Sequence, residues 1–176
     1  MATDSTPPGS PDAEVPLGAG IETGAVDSGV QPEITIVTQY VKDLSFENPG
    51  APATVTQPVE QPDGNVSVKV KRRRLSGDDH EVLLEFNLEA KREDGSVAFI
   101  LELAYGGVFT VRGFDRKSRR FVLSVECPKL LFPFARRVIA DSARDGGYPP
   151  VMLGPIDFAS LYRKHEAADA QSPDNT

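Results

Sequence analysis

"HEVLLEFNLEAKREDGSVAFILELAYGGVFTVRG" runs from His80 to Gly113. Its opening residues put Val82, Leu84, Phe86, Leu88 and Ala90 on one face of an extended chain and Glu81, Glu85 and Glu89 on the other, the period of a half-covered strand. "EDGS" supplies a tight turn, and "VAFILELAYGGVFTVRG" resumes the extended pattern, so the stretch predicts two long antiparallel strands. Gly106–Gly107 breaks the second strand where side chains should alternate, which predicts a bulge or a close approach of another group to the backbone. No G-x-x-x-x-G-K follows, so the pair does not read as a phosphate loop.

Upstream, "NVSVKV" alternates through Val66, Val68 and Val70 and leads by way of the basic run Lys69–Arg74 into the "SGDD" turn. That run reads first as a solvated strand end. "NPGAPATVTQPVEQPDG" (Asn48–Gly64), with four prolines, predicts an extended crossing loop. Before it, "EITIVTQYVKDLSFE" (Glu33–Glu47) puts Ile34, Ile36 and Tyr40 on one face and Val37 and Val41 on the other. Apolar residues on both faces of several strands exceed what two helices can cover, which implies oligomerisation or a large apolar binding surface.

Downstream the period changes. "RKSRRFVLSVE" (Arg116–Glu126) fits either element by pattern. In "CPKLLFPFARRVIADSARDGGYPP" (Cys127–Pro150), a proline turn at Pro128 precedes a helix expected to start at Pro133. Its stripe is Phe134, Val138, Ile139 and Ser142, and Gly146 is its carboxyl-terminal cap. "GPIDFASLYRKHEA" offers Asp157 as the N-cap of a last helix carrying Phe158, Leu161, Tyr162 and His165. Strands first and helices after make the class α+β.

The chain has 176 residues, 39% hydrophobic and 26% charged, which suits one domain with a substantial core. Three regions are expected: an acidic, disordered tail over residues 1–32, a folded domain over 33–165 and a flexible tail over 166–176. Of the formal charge of -7, -5 lies in the first 32 residues, which hold no Lys or Arg, so the remainder is nearly balanced and nucleic acid is not the expected partner. Cys127 is alone, Met1–Pro32 has no secretory pattern and no apolar run reaches membrane-spanning length, so a cytoplasmic protein without direct membrane insertion is expected. Two widely spaced histidines and one cysteine make a poor metal site, and no G-x-S-x-G presents a nucleophile. Glu81, Glu85, Glu89 and Glu102 alternate with apolar residues as solvated strand positions do, although a paired-carboxylate hydrolase and a nucleic-acid regulator using Lys69–Arg74 stay open as rival classes.

"QYVKDLSFENPGAP" (Gln39–Pro52), "AFILELAYGGVFTV" (Ala98–Val111) and "ECPKLLFPFARRVIADSARDGGYPPVMLGPIDFASLY" (Glu126–Tyr162) strongly resemble the SecB family of protein-export chaperones. The combination C-P-x-x-L-F-P-F/Y-A-R with G-Y/F-P-x-x-x-L-x-P-I/V-x-F is the specific part. The resemblance implies a four-stranded antiparallel sheet with helices on one side, assembled as a tetramer, a dimer of dimers. It implies no enzyme and no cofactor, but an ATP-independent chaperone that holds unfolded secretory precursors and delivers them to the export motor SecA. Client-binding residues carried over by the resemblance are Val66, Val68, Val70, Leu153, Phe158, Leu161 and Tyr162. SecA-binding residues are Asp43, Glu47, Ile100 and Glu102, and Phe134, Val138 and Ile139 are expected at the oligomer interface. The long amino-terminal stretch and Lys69–Arg74 match no family motif.

Overall fold

The computed structural model describes residues 31–53 and 63–171. Residues 1–30 of the expected amino-terminal tail, much of the proline-rich crossing loop and the last five residues fall outside the described residues. Strands β1 (Glu33–Glu47), β2 (Asp63–Arg74), β3 (Asp79–Lys91) and β4 (Val97–Arg112) form one antiparallel sheet in the order β1-β4-β3-β2. The chain then turns wholly helical through α1 (Arg116–Phe121), a π-helical turn (Val122–Glu126), α2 (Cys127–Asp145) and α3 (Phe158–Gln171). The α+β order and the four antiparallel strands are as expected.

The central hairpin β3–β4 behaves as its alternation dictates. Leu84 pairs with Tyr105, Phe86 with Leu103 and Leu88 with Leu101, and all six side chains point into the core beneath the helices. Gly95 closes the turn with φ +82°, a left-handed conformation that a side chain would strain, while Arg92 N–H donates to the Ser96 carbonyl. At Gly106–Gly107 the pairing with β3 runs on without a bulge, and close approach is the reason for the pair. A Cβ on Gly107 would meet Leu131 of α2 at 2.7 Å, and one on Gly106 would meet the Tyr40 ring and Leu83 at 2.9 Å. The two glycines admit a helix side chain on one face and an aromatic ring on the other.

Strand β1 departs from its expected faces. The register with β4 slips between Ile36 and Thr38 and again between Val41 and Asp43, leaving Val37 and Lys42 without opposite partners. Each slip shifts the alternation by one residue. Ile34, Ile36, Val41, Leu44 and Phe46 therefore share the helix side, and Tyr40, opposite Gly106, lies on the outer side.

The proline turn expected at Pro128 is absent: the backbone stays helical from the π turn into α2, with Pro128 in the first turn of α2 and Pro133 inside it. The π turn shifts the hydrogen-bond frame, with Cys127 N–H donating to the Val122 carbonyl five residues back. Pro133 lies on the exposed side of α2, where water can take the carbonyl its missing N–H leaves free. Cys127, Leu131, Ala135, Ile139 and Ala143, four residues apart, form the buried stripe. Ile139 is thus core of its own chain, because five residues from Phe134 turn it to the opposite side of the helix. At the far end Gly147, at φ +86°, ends the helix, with Tyr148 N–H donating to the Ala143 carbonyl. Asp157 caps α3 as expected, accepting from Ser160 N–H at 2.9 Å, and the helix runs to Gln171, past the expected start of the tail at Glu166.

Candidate binding surfaces

The helices cover the middle of the sheet, so the helix-side faces of both edge strands stay open. Along β2, Val66, Val68 and Val70 pair with Leu88, Phe86 and Leu84 and extend the core's apolar rows outward. A cleft of ≈ 250 Å³ opens there, lined by Val68, Val70, Leu161 and Tyr162 and framed by Arg72, Arg120, His165 and Glu166. Four of the seven expected client residues therefore meet in one concavity. Val66, 40% exposed, continues the stripe beyond it. Leu153 lies apart from the cleft, on the segment that Arg136 ties to α2 by donating to the Leu153 carbonyl at 3.4 Å. Phe158 corrects the expectation: at 1% exposure, edge-on to Phe132 with ring centroids 6.1 Å apart, it is core.

Sequence reasoning left out the far wall of this cleft. Phe121 packs edge-on against Tyr162 at 5.8 Å, and Arg120 pairs with Glu166 at 3.5 Å. Tyr162 donates to Glu166 at 2.6 Å, and that hydrogen bond to a carboxylate holds its phenol above the usual range. The available signal was Asp115, whose carboxylate accepts from Lys117 and Ser118 N–H as an N-cap and marks the ambiguous Arg116–Glu126 stretch as helix.

On the outer face the register gathers the expected motor-contact residues. Glu47 is opposite Ile100 and Asp43 opposite Ala104, while Glu102 lies two residues from Ile100 on the same side. Asp43 and Glu102 line one depression of ≈ 250 Å³, and Glu102 accepts from Asn87 at 2.7 Å.

Glu81, expected as a solvated strand position, is buried on this outer face with only 5% of its side chain exposed. It accepts from Tyr40 at 2.5 Å and pairs with Lys42 at 3.1 Å and Arg73 at 3.0 Å. Those donors hold its carboxyl below the usual range, while burial and the adjacent carboxylate push the Tyr40 phenol up to about 12. Glu85 pairs with Lys71 and Glu89 with Lys91, so these carboxylates are engaged in ion pairs. Cys127 is fully buried, and burial followed by the nearby Glu126 charge pushes its thiol up to about 12, far from a reactive thiolate.

A third surface is apolar and open. On α2, Leu130 and Phe134 are 43% and 45% exposed, with half-buried Val138 one turn on. On the helix side of β1, Ile36, Val41 and Leu44 are likewise exposed. Among the described residues no helix is long and apolar enough to cross a membrane, and no cluster of His, Cys, Asp or Glu could hold a metal ion.

Residues 27–169 match the family model described as Preprotein translocase subunit SecB. The chain is 46% identical over 147 residues to the protein-export protein SecB of Afipia carboxidovorans, covering 84% of this chain and 91% of that one. It is 48% identical over 139 residues to the protein of the same name from Maricaulis maris, covering 79% and 80%. Among solved structures it is similar to the Mycobacterium tuberculosis SecB-like chaperone Rv1957 in complex with a ChAD peptide from the HigA1 antitoxin. That likeness has a TM-score of 0.54 at 9% identity and covers 70% of this chain and 90% of that one, a likeness of fold.

Proposed function

Because this chain belongs to the SecB family of protein-export chaperones, we propose that its cleft beside β2 holds unfolded secretory precursors, that its outer sheet face meets SecA, and that four copies assemble through the open apolar strip. It is a chaperone and not an enzyme. The observation that carries the proposal is the convergence of Val68, Val70, Leu161 and Tyr162 on one open cleft beside an edge strand. β2 pairs only with β3, so its other edge presents backbone donors and acceptors among the described residues. An extended client can pair along that edge while its alternate side chains enter the cleft, a mode that reads backbone and general hydrophobicity more than sequence.

Holding needs no fuel. A ligand that binds only the unfolded state withdraws it from folding by mass action. Several weak subsites on one assembly then give a long client avidity without strict sequence preference. The exposed side chains of β1 and α2 support the tetramer, since an apolar strip of this kind calls for a partner surface. On the outer face, aliphatic Ile100 beside Glu47 and Glu102 suits a basic partner, and complementarity of that kind acts largely on encounter rate. The cytoplasm, where precursors are made, is the place for this work.

The test mixes the full chain with a chemically denatured reporter enzyme and no ATP. Recovery of reporter activity is delayed once tetramer is stoichiometric with reporter. Unchanged recovery sinks the client assignment.

A further inference from the structure

The basic run that matches no family motif does not stand alone in the fold. The end of β2, the β2–β3 turn and α1 bring Arg72, Arg73, Arg74, Arg116, Arg119 and Arg120 around a concavity of ≈ 420 Å³ floored by His80 and Leu123. Some of these charges are engaged nearby: Arg73 with Glu81, Arg120 with Glu166, and Arg72 with the Ser124 hydroxyl. Arg74 donates to the Gly77 carbonyl, and among the described residues no carboxylate lies within ion-pair distance of it. Arg116 and Arg119 have no carboxylate within ion-pair distance among the described residues. Asp115, next in sequence, is occupied in capping α1. Guanidinium groups crowded in this way raise one another's energy unless anions intervene, and their planar forks suit oxyanions.

The described chain begins at the same end of the sheet. Glu33, the first residue of β1, is opposite Arg112, and a Cβ on Gly113 would meet the Gln31 carbonyl at 2.6 Å. Gly113 precedes Arg116 by three residues, so Gln31 packs beside a point within ~11 Å of the Arg116 backbone. What precedes it carries Asp4, Asp12, Glu14, Glu22 and Asp27 and no Lys or Arg. Asp27 lies four positions before Gln31, a reach of ~14 Å, and Glu22 has a reach of ~30 Å. Tethering at that range gives an effective concentration in the millimolar range, so individually weak exposed ion pairs can sum to occupancy.

We propose that the arginine corner is the docking site of the chain's own acidic amino-terminal segment, residues 1–30, with Glu22 and Asp27 seating against Arg74, Arg116 and Arg119. Arg72 and Arg120 line both the corner and the apolar cleft, so the two concavities share a rim. The docking itself does not depend on what the cleft holds.

The experiment compares the full chain with a full-length variant carrying Asp4→Asn, Asp12→Asn, Glu14→Gln, Glu22→Gln and Asp27→Asn. A fluorescein-labelled peptide of residues 1–30 is titrated into each, with thermal melts confirming equal folding. The neutralised chain is expected to bind the peptide at least about tenfold more tightly than the parent, whose own segment occupies the corner. Added salt should weaken the binding, and adding Arg116→Ala and Arg119→Ala should abolish it. Equal binding by parent and neutralised chains, or no binding by either, overturns the proposal. A labelled oligothymidylate is titrated in parallel: capture of the oligonucleotide but not the peptide makes the corner a nucleic-acid surface and overturns the proposal as well.

Discussion

The two faces of this sheet are finished in opposite ways. On the outer face the buried Glu81 ties three strands together, taking Tyr40 and Lys42 from β1 and Arg73 from β2. On the helix side the middle strands are sealed by Leu131, Ala135 and Ile139 of α2, while the flanking apolar rows of β1 and β2 run out from under cover. Around Glu81 each of these three donors has its acceptor in the one carboxylate. The apolar face is left incomplete at its edges, where the proposed client and partner subunit would dock. Burial is complete at the centre of the sheet and incomplete at its edges.

The strongest way to break this picture is from the centre. Phe99 is fully buried, stacked on Phe46 at 5.2 Å and tilted against Tyr148 at 4.8 Å. Phe99→Ala should cost about 3–5 kcal/mol in urea unfolding, and both faces should fail together. A variant that keeps stability but loses holding would contradict the division.

Glu81→Gln tests the polar face and should cost about 1–3 kcal/mol, since it removes charge-assisted hydrogen bonds while Lys42 and Arg73 remain solvated. The sign with pH follows from the lowered carboxyl pKa. Its contribution is fully present above the unfolded-state value of about 4.3 and is lost as pH falls through the lower folded value. Acid unfolding of the parent should therefore show a steeper loss in that window than the variant does.

At the adhesive edges the expected changes are in binding. Val68→Ser with Tyr162→Ser should weaken client affinity about tenfold or more while changing stability far less than Phe99→Ala. Intact holding with an intact assembly would move the client site elsewhere. Leu130→Ser with Phe134→Ser should shift the light-scattering mass from four chains toward smaller species at micromolar concentration, and a parent that is already monomeric removes the assembly reading.

The smallest structural effect is expected from Glu102→Lys, an exposed position whose stability cost should stay within about 0.5 kcal/mol. SecA binding and its salt dependence should nonetheless fall, with client holding spared. Normal SecA binding by this variant would refute the outer-face assignment.

Much of this was legible beforehand because it is periodic or local. The faces of β3 and β4 follow from alternation, the Asp157 cap from residue type and spacing, and the family from the Cys127–Phe158 block. Phe158 and Ile139 were misjudged for a common reason: a helical stripe says which residues share a side but not whether the chain's own core or another surface lies opposite. Leu131, four residues from Ile139 and docked over Gly107, settles that question for α2.

By itself the sequence determined the class of fold, the two central strands and the family, since these depend on periods of two and on short motifs that neighbours in the chain complete. Only the tertiary structure decided where β1 slips against β4, and so that Tyr40 reaches Glu81 from the outer face. A bulge exists only in relation to a partner strand. The arginine corner was hidden in the same way: Arg72–Arg74 and Arg116–Arg120 are separated by the whole β3–β4 hairpin and become one charged concavity where α1 meets the end of β2.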